Sequence, residues 1–157
     1  MRRSGFAWLA MAGLIGAAFA PLAAAEKHEV VVQSVLGGDS LLVRVGERIE
    51  RVRLLGITCQ DPTSKTLRDR FNREPNPKGD KAKAFVAFRA KPGKSVWLEL
   101  DRQTYDKSGN LLAYVFLPDG SMLNEELVRA GLAWPRKQAP NDRYDKRLRK
   151  AFEKARK

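Results

Sequence analysis

Hydrophobic and polar positions alternate along much of this chain, and the alternation changes period several times. Glu29 to Val35 is rich in β-branched residues and predicts a strand. Gly37-Gly38 then marks a turn, and Leu41 to Val45 predicts a second strand. Gly46-Glu47 turns the chain into a third, Arg48 to Ile57, with Ile49, Val52, Leu54 and Ile57 as its apolar positions. Pro62 to Lys78 is polar and proline-punctuated, and reads as a long loop with a helical turn at Lys65 to Phe71. Gly79 to Arg89 repeats at helical spacing, placing Ala82, Phe85, Val86 and the stem of Arg89 on one face. Pro92-Gly93 stops it.

The second half follows the same logic. Ser95 to Leu100 alternates, with Val96, Leu98 and Leu100 on one side. Tyr105 to Asn110 is a polar turn, Leu111 to Leu117 a fifth strand, and Pro118-Asp119-Gly120 a tight turn. Leu123 to Ala130 predicts a helix stopped by Gly131. A third helix, capped by Asn141 or Asp142, runs to about Arg156 with Tyr144, Leu148 and Phe152 on one face. Five strands with a helix between the third and fourth fit a five-stranded OB-fold-like barrel with three helices, one option among several α+β folds.

Composition adds an address and a charge. Arg2 and Arg3 precede an uncharged apolar run, Phe6 to Ala20, and Ala23-Ala24-Ala25 fits a small-residue cleavage site. Residues 1–25 are therefore expected to be a signal peptide and residues 26–157 one domain, exported to the periplasm or secreted, with no stable membrane insertion after cleavage. The formal charge is +12, and loss of Arg2 and Arg3 leaves +10. Such an excess attracts polyanions, nucleic acid foremost, and an anionic membrane surface next. Cys59 is the single cysteine, which excludes an intramolecular disulfide. It reads best as a small, at least partly buried hydrophobe, and a monomer is the expectation. His28, the one histidine, is a poor general base or metal anchor in isolation. Trp97 and Trp134 read as packing residues.

Three motifs carry the chemistry. Val35-Leu36-Gly37-Gly38-Asp39-Ser40 and Arg53-Leu54-Leu55-Gly56-Ile57-Thr58-Cys59-Gln60-Asp61 each join an apolar run to a carboxylate, and the second opens on an arginine. A carboxylate beside an arginine can hold a hard cation and stabilise a phosphoryl oxyanion. With Leu123-Asn124-Glu125-Glu126-Leu127-Val128-Arg129-Ala130-Gly131-Leu132-Ala133, they make the chain resemble the staphylococcal nuclease (thermonuclease) family, in order from about Val30 to the C-terminus.

The resemblance implies a calcium-dependent phosphodiesterase on a small barrel, and it implies departures. Asp39 matches the first calcium-binding aspartate and Arg53 the first catalytic arginine. Thr58 stands where the second calcium-binding aspartate belongs, and a neutral hydroxyl is a poor substitute on a hard divalent cation. Cys59 matches the position that lends its carbonyl to the metal. Asp61 stands for the glutamate that handles water, one methylene shorter, after Gln60 instead of proline. Asn110 replaces the second catalytic arginine, and Arg102 is the nearest other arginine in that stretch. Arg136, Lys137 and Lys107 remain as phosphate contacts, while the tyrosines expected after Trp134 are absent. For each lysine or arginine alone, ordinary surface charge is the favoured reading. Three functions stay open: a nucleic-acid binder with weak or lost cleavage, a calcium-dependent nuclease with a reduced site, and a basic envelope interaction module.

Overall fold

A computed structural model describes residues 26–59 and 77–157. Five strands close a barrel in the order β1-β2-β3-β6-β5. They are β1 (Lys27–Gly37), β2 (Ser40–Val45), β3 (Arg48–Leu54), β5 (Ser95–Glu99) and β6 (Leu111–Phe116). Two further short strands, β4 (Ile57–Thr58) and β7 (Trp134–Pro135), pair with each other outside the barrel. Among the described residues there are three helices: α1 (Pro77–Arg89), α2 (Leu123–Arg129) and α3 (Asp145–Ala155). The expected α+β barrel with three helices is the observed architecture.

Closure depends on β1. Its first half pairs with β5 and most of its length pairs with β2. Register shifts between Val32 and Ser34 and between Val35 and Gly37 interrupt its ladder with β2. Such irregularities bend a strand and raise its twist, which lets one strand serve two neighbours around a tight barrel. Inward positions of β1, β2, β3 and β5 alternate as the pattern predicts: Val30, Val32, Leu41, Val43, Val52 and Leu98 are all buried. β6 does not alternate, and all six of its residues are buried. One face of it lines the barrel and α2 packs against it, so both faces need apolar side chains.

β3 and β6 run parallel, with Val52, Arg53 and Leu54 opposite Leu111, Leu112 and Ala113. Asn124, fully buried on α2, secures the end of this seam. Its Oδ1 accepts the Val115 N–H at 3.0 Å and its Nδ2 donates to the Leu55 carbonyl at 2.8 Å. A buried and a half-buried carboxylate then tie the helices together. Glu125 accepts from Arg129 and from Arg147, joining α2 to α3. Glu126 accepts from Arg89, joining α2 to α1. Asn124 and Glu125 thus serve the fold.

Several boundaries differ from the sequence expectation. The third strand stops at Leu54, and Gly56, at φ 73°, turns the chain before Ile57 and Thr58 resume as β4. A side chain on Gly56 would also press Leu148 of α3, 2.6 Å from the added Cβ, so glycine is required for both reasons. The helix expected from Gly79 begins at Pro77, a residue whose fixed φ suits a first turn. Neither Asn141 nor Asp142 caps the third helix. Tyr144 precedes its first turn and makes no capping bond. Asn141 instead bridges Gln103 through both backbone groups, and Asp101 accepts the N–H groups of Asp142 and Arg143. A helical turn at Lys65 to Phe71 lies outside the described residues, as does the segment 1–25.

Asn124→Leu should keep the side-chain volume while stripping two buried backbone groups of their partners. It is expected to lower stability by about 3 kcal/mol, read as a fall in the urea midpoint at unchanged slope. A loss within experimental error would show that the seam holds without it.

Candidate nuclease site

The turn of β1 into β2 is Gly38-Asp39, and three contacts fix what stands beside it. Ser40 pairs with Arg53 across β2 and β3. The Asp39 carbonyl accepts the Leu54 N–H at 2.9 Å. Gly38 is so closely covered that an added Cβ would lie 2.5 Å from the Ala82 Cβ of α1 and 3.0 Å from the Cys59 Sγ. Asp39, Arg53 and Cys59 therefore meet at one corner of the barrel although up to twenty residues separate them in sequence. Thr58 reaches the same corner through β4, paired with Trp134.

Arg53 is half-buried, whereas Arg51, two residues earlier on the same face of β3, is exposed. Burial of a guanidinium requires an anionic or hydrogen-bonding neighbour. One such neighbour is Asp106, on which the Arg53 charge acts. Burial pushes the Asp106 carboxyl up. The Asn110 side chain, the Asn110 and Ser108 N–H groups and the Arg53 charge together outweigh that and hold it below the usual carboxylate range.

Asn110 is committed to this turn. Its Nδ2 donates to the Asp106 Oδ2 at 2.8 Å and its N–H to Oδ1 at 2.9 Å. Ser108 N–H donates to the same Oδ1 at 2.8 Å. The amide thus turns back onto a carboxylate in its own loop. Arg102 is also engaged elsewhere, with Asp142 and the Pro140 carbonyl. Lys107 is exposed at the tip of the Asp106 turn.

Arg136 and Lys137, both exposed, follow β7. The Arg136 N–H donates to the Gly56 carbonyl at 2.8 Å, which sets it beside the β3–β4 corner. Lys137 edges a shallow depression with Gly56, Asp145 and Arg149. Asp61 lies outside the described residues. Sequence reasoning missed Asp106, because a turn aspartate gives no sign that the pairing of β3 with β6 brings it near Arg53. It also missed the contact of Gly38 with Ala82, for which the glycine doublet was the available signal.

The donors gathered at the corner are few for a calcium ion. Calcium takes about six to eight oxygens, several of them carboxylate. The described residues offer one carboxylate (Asp39), one hydroxyl (Thr58) and the Cys59 carbonyl. No three His, Cys, Asp or Glu side chains come together as a metal cluster among the described residues. The described set does not fit a calcium ion. The Cys59 thiol adds nothing to it. Burial, with the nearby Asp39 charge, raises its pKa to about 12, so it stays protonated and apolar in character.

With this geometry in view, comparison with known proteins is informative. The family model described as staphylococcal nuclease homologue matches residues 51–157. A thermonuclease of Staphylococcus intermedius is 35% identical over 127 residues, covering 81% of this chain and 71% of the relative. A thermonuclease of Staphylococcus hyicus is 32% identical over 138 residues, covering 88% and 77%. An uncharacterized endonuclease of Escherichia coli O157:H7 is 33% identical over 122 residues, covering 78% and 69%.

The half-buried, protonated Cys59 thiol should react with a disulfide reagent at neutral pH much more slowly in the folded protein than after unfolding. Because the native thiol keeps its proton above the pH at which the unfolded thiol loses it, stability should fall as pH rises from about 9 toward 12. Cys59→Ala should flatten that part of the profile. Rapid labelling of the folded protein at pH 7 would contradict the burial described here.

The closed barrel, the parallel seam held by Asn124 and the match over residues 51–157 converge on one assignment: this chain belongs to the staphylococcal nuclease homologue family.

Proposed function

We propose that this protein binds nucleic acid and hydrolyses phosphodiester bonds weakly or not at all. We propose further that residues 1–25 direct export and that residues 26–157 act outside the cytoplasm, in the periplasm or the medium. In support of the latter, the N-terminal pattern is that of a cleaved leader, and no described helix is long and apolar enough to cross a membrane.

The observation that carries the functional reading is the state of Asn110. Phosphodiester cleavage develops negative charge on the phosphoryl oxygens, and fixed cations or donors at that point lower the barrier. Here Arg53 is half-buried near Asp106, and the residue in place of a second arginine is a neutral amide tied to that same carboxylate. Loss of one such donor costs roughly a hundred- to a thousand-fold in rate. Thr58 removes a carboxylate from the metal side as well. Binding needs less than catalysis does. Arg53, Arg136, Lys137 and Lys107 still present positive charge around the corner, and phosphate contacts of this kind give salt-sensitive affinity.

The second reading, calcium-dependent hydrolysis through Asp39, Asp61 and Arg53, is favoured by the meeting of Asp39 and Arg53 at one corner and by relatives named thermonuclease and endonuclease. One experiment separates the two. Single-stranded DNA and RNA are incubated with the purified protein, with calcium and with chelator, beside Asp39→Ala and Arg53→Ala. Salt-sensitive binding without cleavage above the two variants is the expected result. Cleavage that requires calcium and both side chains would overturn it in favour of the enzyme. Absence of both binding and cleavage would leave the envelope interaction module.

A further inference from the structure

Three shallow depressions follow one another along the flank of α3, and neighbouring ones share residues. The first has Gly56 and Pro135 at its base and Arg136 at its edge. It shares Lys137, Asp145 and Arg149 with the second, which continues to Lys146 and Lys150. The third shares Lys146 and Lys150 and ends at Lys154, beside Arg129 and Arg147. Gly56 stands two residues before Thr58 in sequence and accepts the Arg136 N–H. The path therefore starts at the corner already described and leads away from it, across α3 to α2.

Charge along the path is uneven. In the second depression three carboxylates interleave with the cations: Asp142, Asp145 and Glu153. Asp142 is paired with Arg102, and burial, then the Asp142 charge, raises the Asp145 carboxyl. The third depression is different, because five cations surround one carboxylate. That carboxylate, Glu125, is already shared by Arg129 and Arg147.

Lys146, Lys150 and Lys154 stand four residues apart, so they form a single row on α3. The row spans about 12 Å. All three lysines are exposed, and none enters an ion pair or hydrogen bond with a described residue. Like charges at this spacing oppose the helix that carries them. The carboxylates lining the same depressions, Asp142, Asp145, Glu153 and Glu125, form no ion pair with these lysines and offset that repulsion only in part, whereas a bound polyanion would offset more of it. Mobile lysine point charges suit a backbone read without regard to base sequence.

We propose that this row and the depressions leading to it carry the backbone of a polynucleotide past the barrel corner, so that the protein engages strands much longer than the corner alone can hold. The inference rests on the nucleic-acid-binding reading above and names its ligand as a polymer.

The test compares the wild type with the triple variant Lys146→Gln, Lys150→Gln, Lys154→Gln, and with the corresponding triple arginine variant. Affinities are measured by fluorescence anisotropy across a salt series, for single strands of about four and about twenty nucleotides. The glutamine variant should bind the long strand about tenfold more weakly, with a slope of log affinity on log salt smaller by about 2. Its binding of the short strand should be unchanged, and the arginine variant should behave as the wild type. Thermal unfolding by circular dichroism checks that all three proteins fold alike. Equal losses on short and long strands, or no loss on the long strand, would overturn the track while leaving nucleic-acid binding in place. Failure of the wild type to bind either strand would remove the underlying reading and the track with it. If the glutamine variant lost binding only to phosphatidylglycerol vesicles, the row would be a membrane contact and the proposal wrong.

Discussion

The carboxamide of Asn124 is the interaction on which the rest of this molecule depends. A parallel pair of strands has no hairpin to fix its register, so the β3–β6 seam must be secured from outside the ladder. Asn124 does this with both ends of one side chain, holding Val115 on β6 and Leu55 just beyond β3. A buried polar side chain of this kind is costly unless every group finds a partner, and here both do. Leu55 is also where the chain leaves the barrel. Gly56, Ile57, Thr58 and Cys59 follow, so one amide on a helix sets the place from which the candidate site is built.

The positive charge of the chain falls into two classes that the formal excess conceals. Arg89, Arg129, Arg143 and Arg147 are engaged by Glu126, Glu125 and Glu99, and these pairs join α1, α2 and the approach to α3 to the rest of the fold. A planar guanidinium can donate several directed bonds, which suits it to such joints. Much of what remains for an external anion is lysine, gathered on α3 and after β7. A basic composition alone does not distinguish these roles. The presence or absence of a carboxylate partner does.

At the candidate site, the same corner shows kinship and divergence at once. The β1–β2 turn and the end of β3 bring Asp39 to Arg53. Thr58 and Asn110 are neutral, and Asn110 is part of a turn. Its amide stabilises the loop through Asp106 instead of facing outward. A family can keep its barrel under such changes because the fold rests on Asn124, the apolar alternation of the strands and the buried carboxylates, none of which belongs to the catalytic set.

The strands, the three helices and the polar turns were legible in the sequence, because period-two and helical alternation record which side of each element faces the core. The Asp39 and Arg53 motifs were legible too, as residue types beside turns. Other features were not. The break at Gly56 escaped notice because an apolar run reads through it, and the small β4–β7 sheet joins residues far apart in sequence. Asn141 looked like a helix cap because its local context suits one, yet it bonds to Gln103 across the fold. Asp106 opposite Arg53, Ala82 over Gly38 and the row of lysines leading away from the corner exist only once the barrel closes. Which residues must be buried and where the chain must turn depend on local chemistry, and the order of residue types is enough to read them. Which charges meet and which stay open to a partner depend on distances between elements, and those exist only in the closed fold.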